Sequence, residues 1–301
     1  MHFPRISIVT PSFNQAHYIE ETIDSILSQN YPNLEYIIID GGSRDGSVDI
    51  IKRYERYLKY WISQPDKGQA DAINKGLTFC TGEIFNWINS DDILLSGALD
   101  HIAEMYTRER FDLLAGHVVN FNNSGYKEAV ANNNLSPINT LFREIGYFHQ
   151  PGIWLKTERV KALNGVKTDY HYSFDAHLII RYMMDNVKMV YTDKELVKFR
   201  LHDNSKTMSY HTRFVEENIR IADELKESDY FKADKEKIKS WIRFKKWYLL
   251  LYNIEKSDSG RSVKIYKILF SIISDIPFRF SRYTAGTIRN ILFNRPGNQI
   301  Y

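Results

Sequence analysis

Four short stretches of this 301-residue chain carry side chains equipped for chemistry: Thr10-Pro11-Ser12, Asp40-Gly41-Gly42, Gln64-Pro65-Asp66-Lys67 and Asn89-Ser90-Asp91-Asp92. Each follows or closes a run that reads as a β-strand. In an open parallel sheet, ligands bind outside the carboxyl ends of the strands, so these residues share one edge. A nucleotide needs an acceptor for its base or ribose hydroxyls, a role open to Asp40. A diphosphate needs a divalent cation, and hard oxygen donors such as Asp91 and Asp92 suit Mg2+ or Mn2+. Each residue also has a plain structural use. Asp-Asp before a helix serves as N-cap and dipole partner, and Asp before Gly-Gly is equally a turn residue. A dinucleotide site is disfavoured, because no GxGxxG follows the first strand.

The elements that must position these residues alternate in type. Arg5–Thr10, Leu34–Asp40, Tyr60–Ser63, Glu83–Ile88 and Leu113–Val119 read as strands, with Pro11 expected to close the first. Between them, Tyr18–Gln29, Ser43–Tyr57, Gln69–Phe79 and Ser96–Arg108 read as helices; Ile19, Ile23, Ile26 and Leu27 put four apolar side chains on one helical face. Strands separated by helices at this spacing predict βαβ units and a mostly parallel sheet. Further on, Asn120–Asn123 and Asn132–Asn134 read as turns or loops. Ser173–Met184 reads as a helix, and Met189–Tyr191 and Val197–Leu201 as separate strands. Arg213–Lys226 and Lys235–Tyr252 are the clearest later helices, and the domain boundary is expected at Arg213.

Composition excludes several classes. With 43% apolar and 14% aromatic residues the chain buries a sizeable core and is not globally disordered. One cysteine, Cys80, excludes an internal disulfide or a CxxC site and fits a reducing cytoplasm. No secretory or membrane-spanning segment is expected, the longest apolar runs being Trp247–Tyr252 and Ile268–Ile273. The net charge of +3 is unevenly spread. Residues 231–301 hold 15 Lys/Arg against 5 Asp/Glu, a net of +10, which leaves −7 for residues 1–230. Basic residues there interleave with aromatics such as Trp241, Phe244 and Trp247, which fits either an interfacial helix on anionic lipid or a helical bundle with a solvated basic face.

The joint pattern is more specific than its parts. Ile8-Val9-Thr10-Pro11-Ser12-Phe13-Asn14, Ile39-Asp40-Gly41-Gly42-Ser43-Arg44-Asp45-Gly46-Ser47 and Asp66-Lys67-Gly68-Gln69-Ala70-Asp71 are followed by Thr81-Gly82-Glu83-Ile84 and Trp87-Ile88-Asn89-Ser90-Asp91-Asp92. Over roughly residues 4–210 the chain resembles the inverting nucleotide-sugar glycosyltransferases of family two, with the GT-A fold, in the branch found in bacterial polysaccharide gene clusters. The resemblance implies an α/β catalytic domain over 1–212 and a basic, mainly helical region over 213–301.

It also implies roles. Thr10, Pro11 and Ser12 would line the nucleotide, Asp40 would read the base, and Asp66, Lys67 and Asp71 would border nucleotide and sugar. Asn89-Ser90-Asp91 stands in the place of the family's metal-binding DXD, with Asp92 next, so Asp91, Asp92 and His202 form the expected Mn2+ or Mg2+ set. Asp175, in Tyr172-Ser173-Phe174-Asp175, falls where the family carries its catalytic base. Gln150 and Trp154, in His149-Gln150-Pro151-Gly152-Ile153-Trp154, would face the acceptor. His202 belongs to Phe199-Arg200-Leu201-His202-Asp203-Asn204-Ser205-Lys206-Thr207, similar to the family's late histidine motif.

The implied reaction moves a sugar from a nucleotide-diphosphate donor, a UDP-sugar by resemblance, to a hydroxyl of a glycan or polyprenyl-linked glycan in surface polysaccharide synthesis. The location implied is cytoplasmic, at the inner face of the cell membrane; the basic aromatic tail adds an expectation of peripheral contact with anionic lipid, and no nucleic-acid partner is expected. Two other readings compete. A nucleotidyltransferase shares the sheet and the carboxylates but needs an early glycine-rich, basic pyrophosphate loop that this chain lacks. A catalytically degenerate sugar- or nucleic-acid-binding module would use the basic aromatic tail alone.

Overall fold

The computed structural model describes residues 3–122, 124–142, 149–202, 205–206, 210–274 and 281–293. The chain divides into two compact units, Met1–Ser209 and Tyr210–Tyr301.

The first unit opens with β1 (Ile6–Ser12), α1 (Ile19–Leu27), β2 (Leu34–Asp40), α2 (Ser47–Arg53), β3 (Tyr60–Ser63), α3 (Gln69–Phe79) and β4 (Ile84–Trp87). It continues through β5 (Ile93–Leu94), α4 (Ala98–Glu109), β6 (Leu113–Phe121), β7 (Lys127–Val130) and α5 (Pro137–Phe142), then β8 (Ile153–Lys156), α6 (Thr157–Ala162), α7 (Phe174–Met183) and β9 (Met189–Arg200). Among the described residues the strands form one sheet in the order β3-β2-β1-β4-β8-β6-β9-β5, with β7 on β6. The β1–β2, β1–β4 and β2–β3 pairings are parallel, as is β6–β9, while β8 runs antiparallel to both β4 and β6. The strands that carry the carboxylates are thus parallel, and their carboxyl ends coincide: Ser12 pairs with Asp40 and Asp40 with Ser63.

Burial explains why these segments take these forms. Every residue of β1 is enclosed, and all of β2 after Leu34, as expected for central strands covered on both faces. Ile19, Ile23 and Ile26 of α1 are fully buried beside Ile6, Ile8, Ile38 and Ile84. On the other face α3 lies so close to β1 that a Cβ at Gly76 would sit 2.5 Å from Val9 Cγ1, so only glycine fits there.

Several boundaries differ from expectation. Pro11 lies inside β1: the β4 pairing ends at Val9, so the strand beyond it has β2 alone as neighbour, and the missing N–H is tolerated on the unpaired side. Ser43–Tyr57 yields only α2 and a 3-10 turn at Glu55–Tyr57, because Gly42 and Gly46 take φ of +85° and +100° and hold residues 41–46 as a loop. Met189–Arg200 is one long strand; its polar middle is tolerated because backbone pairing to β6 resumes after a bulge. Asn120 belongs to β6, and Asn123 lies outside the described residues.

The second unit contains α8 (His211–Leu225), α9 (Lys235–Lys256), α10 (Arg261–Ser274) and α11 (Arg282–Phe293). Val215, Ile219 and Ala222 of α8 are buried. Trp247, Leu251, Ile254, Ile268 and Ile291 form a small core between α9, α10 and α11, and Trp247 Nε1 donates to Thr284 Oγ1 at 3.0 Å. No helix among the described residues is long and apolar enough to cross a membrane.

Candidate active site

At the carboxyl edge of the parallel strands, Asp40 is fully buried and works inward. Its Oδ2 accepts the backbone N–H of Gly42 (3.0 Å) and of Ser43 (2.9 Å) and the Ser63 hydroxyl (2.6 Å), while Oδ1 accepts the Ser43 hydroxyl (2.5 Å). Expected to read a base, this carboxylate instead folds the loop after β2, its lone pairs taken by protein donors. Asp45 does the same one turn on, accepting from Ser47 N–H, the Ser47 hydroxyl and Ala16 N–H; burial pushes its carboxyl up, but these bonds outweigh that and hold it below the usual range. Thr10 is buried with its hydroxyl 3.0 Å from that of Tyr36. Pro11 and Ser12 are also buried, and Ser12 Oγ has no partner among the described residues.

The open part of this edge lies beside Phe13, Gly41 and Asp66. Phe13 is 59% exposed. A Cβ at Gly41 would meet Asp66 Oδ2 at 2.9 Å and Phe13 at 3.2 Å, so the bare backbone there lets the two side chains approach. Asp66 Oδ1 accepts Gly68 N–H (2.7 Å), turning the chain into α3, and Lys67 is exposed. Asp71 accepts Lys67 N–H (3.1 Å) and pairs with Lys75 (3.0 Å); partial burial raises its pKa, but these donors and charges prevail and lower it.

The tandem carboxylates after β4 have opposite fates. Asp92 is fully enclosed: its Oδ1 accepts Arg200 N–H (3.1 Å), its Oδ2 accepts Asn89 Nδ2 (3.0 Å), and its carbonyl accepts the Thr22 hydroxyl (2.8 Å). Burial first, and the Asp91 charge second, push its carboxyl well above the usual range. Expected among the metal ligands by resemblance, Asp92 is geometrically a bracket between this loop and β9. Asp91 faces the other way, with Oδ2 3.0 Å from His202 Nε2. His202 Nδ1 has no partner among the described residues, and its ring lies 5.0 Å from that of Tyr18. Arg200 braces the loop from behind, donating Nε to the Asp91 carbonyl (2.9 Å) and pairing with Glu21. Ser90 is buried, and Asn89 Oδ1 accepts Gln69 Nε2 at 2.7 Å.

The acceptor-side expectations divide. Gln150 is buried and donates Nε2 to Asn86 Oδ1 (2.7 Å) and to the Trp87 carbonyl (3.1 Å), so it fixes the end of β4. Trp154 is fully buried in β8, within the hydrophobic core, and presents no surface to a ligand. Asp175 opens α7, with Oδ1 accepting Ala176 N–H at 2.7 Å, and the adjacent Phe174 ring lies 6.3 Å from Trp87 at the end of β4.

Two residues join these halves without having been singled out beforehand. Lys206 Nζ donates to Gln69 Oε1 (3.0 Å) and to the His171 carbonyl (3.2 Å), 6.0 Å from the Phe174 ring centre. A contact chain Asn89–Gln69–Lys206 thus runs from the carboxylate loop to the start of α7. The available signal was spacing: Lys206 lies four residues past His202 in one motif, and Gln69 is the first residue of α3. Asp203, Asn204 and Thr207 of that motif lie outside the described residues.

Asp91 and His202 are the two converging donors, and no group of three or more His, Cys, Asp or Glu among the described residues gathers into a cation site. Asp91 Oδ2 and His202 Nε2, 3.0 Å apart, are donors of the kind that would fit Mn2+ or Mg2+.

A parallel sheet with a carboxylate loop at its carboxyl edge, joined to a mixed half that carries an acid at a helix start, is an arrangement of the GT-A type. Residues 7–174 match the family model for glycosyl transferase family 2, and the chain belongs to that family. Among curated relatives, the putative teichuronic acid biosynthesis glycosyltransferase TuaG of Bacillus subtilis is 38% identical over 92 residues, 30% of this chain and 36% of that protein. The chain spans about a third of the length of the curated relatives it matches. In fold it is similar to S. aureus TarS residues 1–349 in complex with UDP-GlcNAc (TM-score 0.66, 16% identity, 96% of this chain and 92% of that one). It is also similar to the mannosyltransferase PcManGT of Pyrobaculum calidifontis in complex with GDP-Man and Mn2+ (TM-score 0.60, 17% identity, 98% and 89%).

Proposed function

We propose that the chain transfers a sugar from a nucleoside-diphosphate donor, a UDP-sugar first among them, to a hydroxyl of a glycan or polyprenyl-linked glycan in bacterial surface polysaccharide synthesis, with inversion. The observation that carries this is the Asp91–His202 pair at the nucleotide edge, tied through Asn89, Gln69 and Lys206 to the start of α7, where Asp175 sits. The family, the TuaG likeness and the nucleotide-bound neighbours support it.

Phe13, Gly41 and Asp66 receive the nucleoside, with Lys67 beside it. Asp91 and His202 would hold Mn2+ or Mg2+, which would supply Lewis-acid stabilisation of the departing diphosphate. Lys206 adds a fixed ammonium on the same side, where negative charge grows as the bond from the sugar's anomeric carbon to the diphosphate oxygen breaks. Asp175 takes the proton of the acceptor hydroxyl as its oxygen bonds to the opposite face of that carbon. Asp40, Asp92 and Gln150 hold the loops that place these groups.

The test is Asp175→Asn, read by nucleotide release from UDP-, GDP- and dTDP-sugars with a panel of glycan acceptors. Turnover falls by about a hundredfold to ten-thousandfold, the range for a lost general base, while UDP affinity stays within about twofold, the variant having lost no nucleotide contact. Near-normal turnover would remove Asp175 from the mechanism.

A further inference from the structure

The small core of the second unit leaves one face of α10 uncovered. Ile265 and Ile268 turn into that core, packing with Trp247, Leu251 and Ile291. On the far side Val263, Tyr266 and Phe270 follow one another at three- and four-residue spacing, which makes them neighbours on a helix. They are 48, 68 and 65% exposed, and Leu269 beside them is 52% exposed. The Tyr266 and Phe270 rings stack, with centres 6.3 Å apart and planes 24° from parallel. Scattered exposed apolar residues are ordinary, but a contiguous row ending in two stacked rings marks an interaction surface.

The charges on α10 and α11 have one sign. Arg261 and Lys267 of α10 and Arg289 of α11 are exposed, and neither helix contains an acidic residue. Lys267 also reaches back to Ser259 Oγ (3.2 Å), and Lys264 donates to the Glu255 carbonyl (2.7 Å), so the basic side chains fix the start of α10 against the end of α9.

We propose that this face of α10 docks the chain on an anionic phospholipid bilayer, the rings of Tyr266 and Phe270 entering the headgroup boundary and the Arg and Lys side chains meeting lipid phosphates. Charge selects the occupant. Residues 231–301 carry a net of +10, so a second copy meeting it through the same face would bring like charge against like charge, whereas a negatively charged leaflet is complementary. The mode is surface attachment, since α10 has 14 residues and no described helix is long and apolar enough to span. This inference stands apart from the transferase reading, because it concerns the second unit alone.

The experiment is flotation of the full chain with phosphatidylcholine vesicles and with vesicles that also contain phosphatidylglycerol. The protein floats with the anionic vesicles, stays below with phosphatidylcholine alone, and is released by salt. Tyr266→Ser with Phe270→Ser lowers the partition coefficient by about tenfold or more through lost apolar burial. Lys267→Glu with Arg289→Glu, which leaves the apolar row intact, lowers it comparably by removing about 1 kcal/mol per basic residue. Unchanged melting and unchanged UDP titration in both variants show that they fold. Equal flotation of wild type and both variants would overturn the proposal. So would failure of the wild type to bind either vesicle, or light scattering showing a dimer that the Tyr266/Phe270 variant dissolves.

Discussion

The tandem pair Asp91-Asp92 allows a test in which neighbouring substitutions have opposite consequences. Asp92→Ala strips two buried donors of their acceptor, the Arg200 N–H at 3.1 Å and the Asn89 amide at 3.0 Å, in a site with no exposure to water. Each unmade bond costs about 1–3 kcal/mol, so the sum is about 2–6 kcal/mol, or a melting point lowered by roughly 5–20 °C for a chain of this size. Asp91→Ala removes a partly exposed carboxylate whose side chain faces His202, and melting should stay within about 2 °C. The assays are calorimetric melting and UDP titration with Mn2+ and with EDTA. Asp91→Ala weakens Mn2+-dependent UDP binding by about tenfold or more and leaves binding in EDTA unchanged. Asp92→Ala melts early. A stable Asp92→Ala protein with lost metal response, beside an unstable Asp91→Ala protein, would refute the assignment of inward and outward carboxylates.

Three further outcomes follow from the same geometry. Gly41→Ala places a methyl 2.9 Å from Asp66 Oδ2 and 3.2 Å from Phe13, so UDP affinity should fall by about tenfold with little change in melting; unchanged affinity would separate this edge from the nucleoside. Lys206→Met should reduce the preference for UDP over UMP by about tenfold, and an equal loss for both nucleotides would show that the ammonium does not serve the diphosphate. Glu35, enclosed between β1 and β2, accepts the Ser7 hydroxyl (2.7 Å), Thr81 N–H (2.7 Å) and the Thr81 hydroxyl (2.6 Å). Burial raises its pKa, but these bonds and Lys59 outweigh it and lower it. Its contribution to stability is therefore present above the unfolded carboxyl pKa, about 4.3, and is lost as pH falls through the lower folded value. The melting gap between wild type and Glu35→Gln should be open at neutral pH and close on acidification below about pH 4; a gap independent of pH would refute it.

The catalytic half was the more legible in sequence because its signals are local. The continuous apolar run of β2 and the Ile19-Ile23-Ile26 face of α1 require their forms wherever they lie in the fold, and the loops after buried parallel strands share one edge of the sheet. What the sequence withheld depends on distant partners. Asp92 turns inward because Arg200, 108 residues later, brings its backbone N–H there. Trp154 is buried because β8 runs between β4 and β6, a placement that no periodicity in a four-residue strand encodes. Asp40 resembles a ligand-reading acid until the hydroxyl of Ser63, on the adjacent strand, is seen to occupy it. Lys206 required the turn after His202 to bring it back to Gln69, across 137 residues of chain.

The central claim, that the Asp91–His202 edge binds a nucleoside diphosphate with a divalent cation, is tested most directly by calorimetric titration of the full chain with UDP, GDP and dTDP, each with Mn2+ and with EDTA. UDP should bind most tightly of the three, and its binding should weaken in EDTA and in Asp91→Ala. Absence of binding by all three diphosphates in the presence of Mn2+ would contradict that claim and leave the basic helical unit as the chain's principal functional surface.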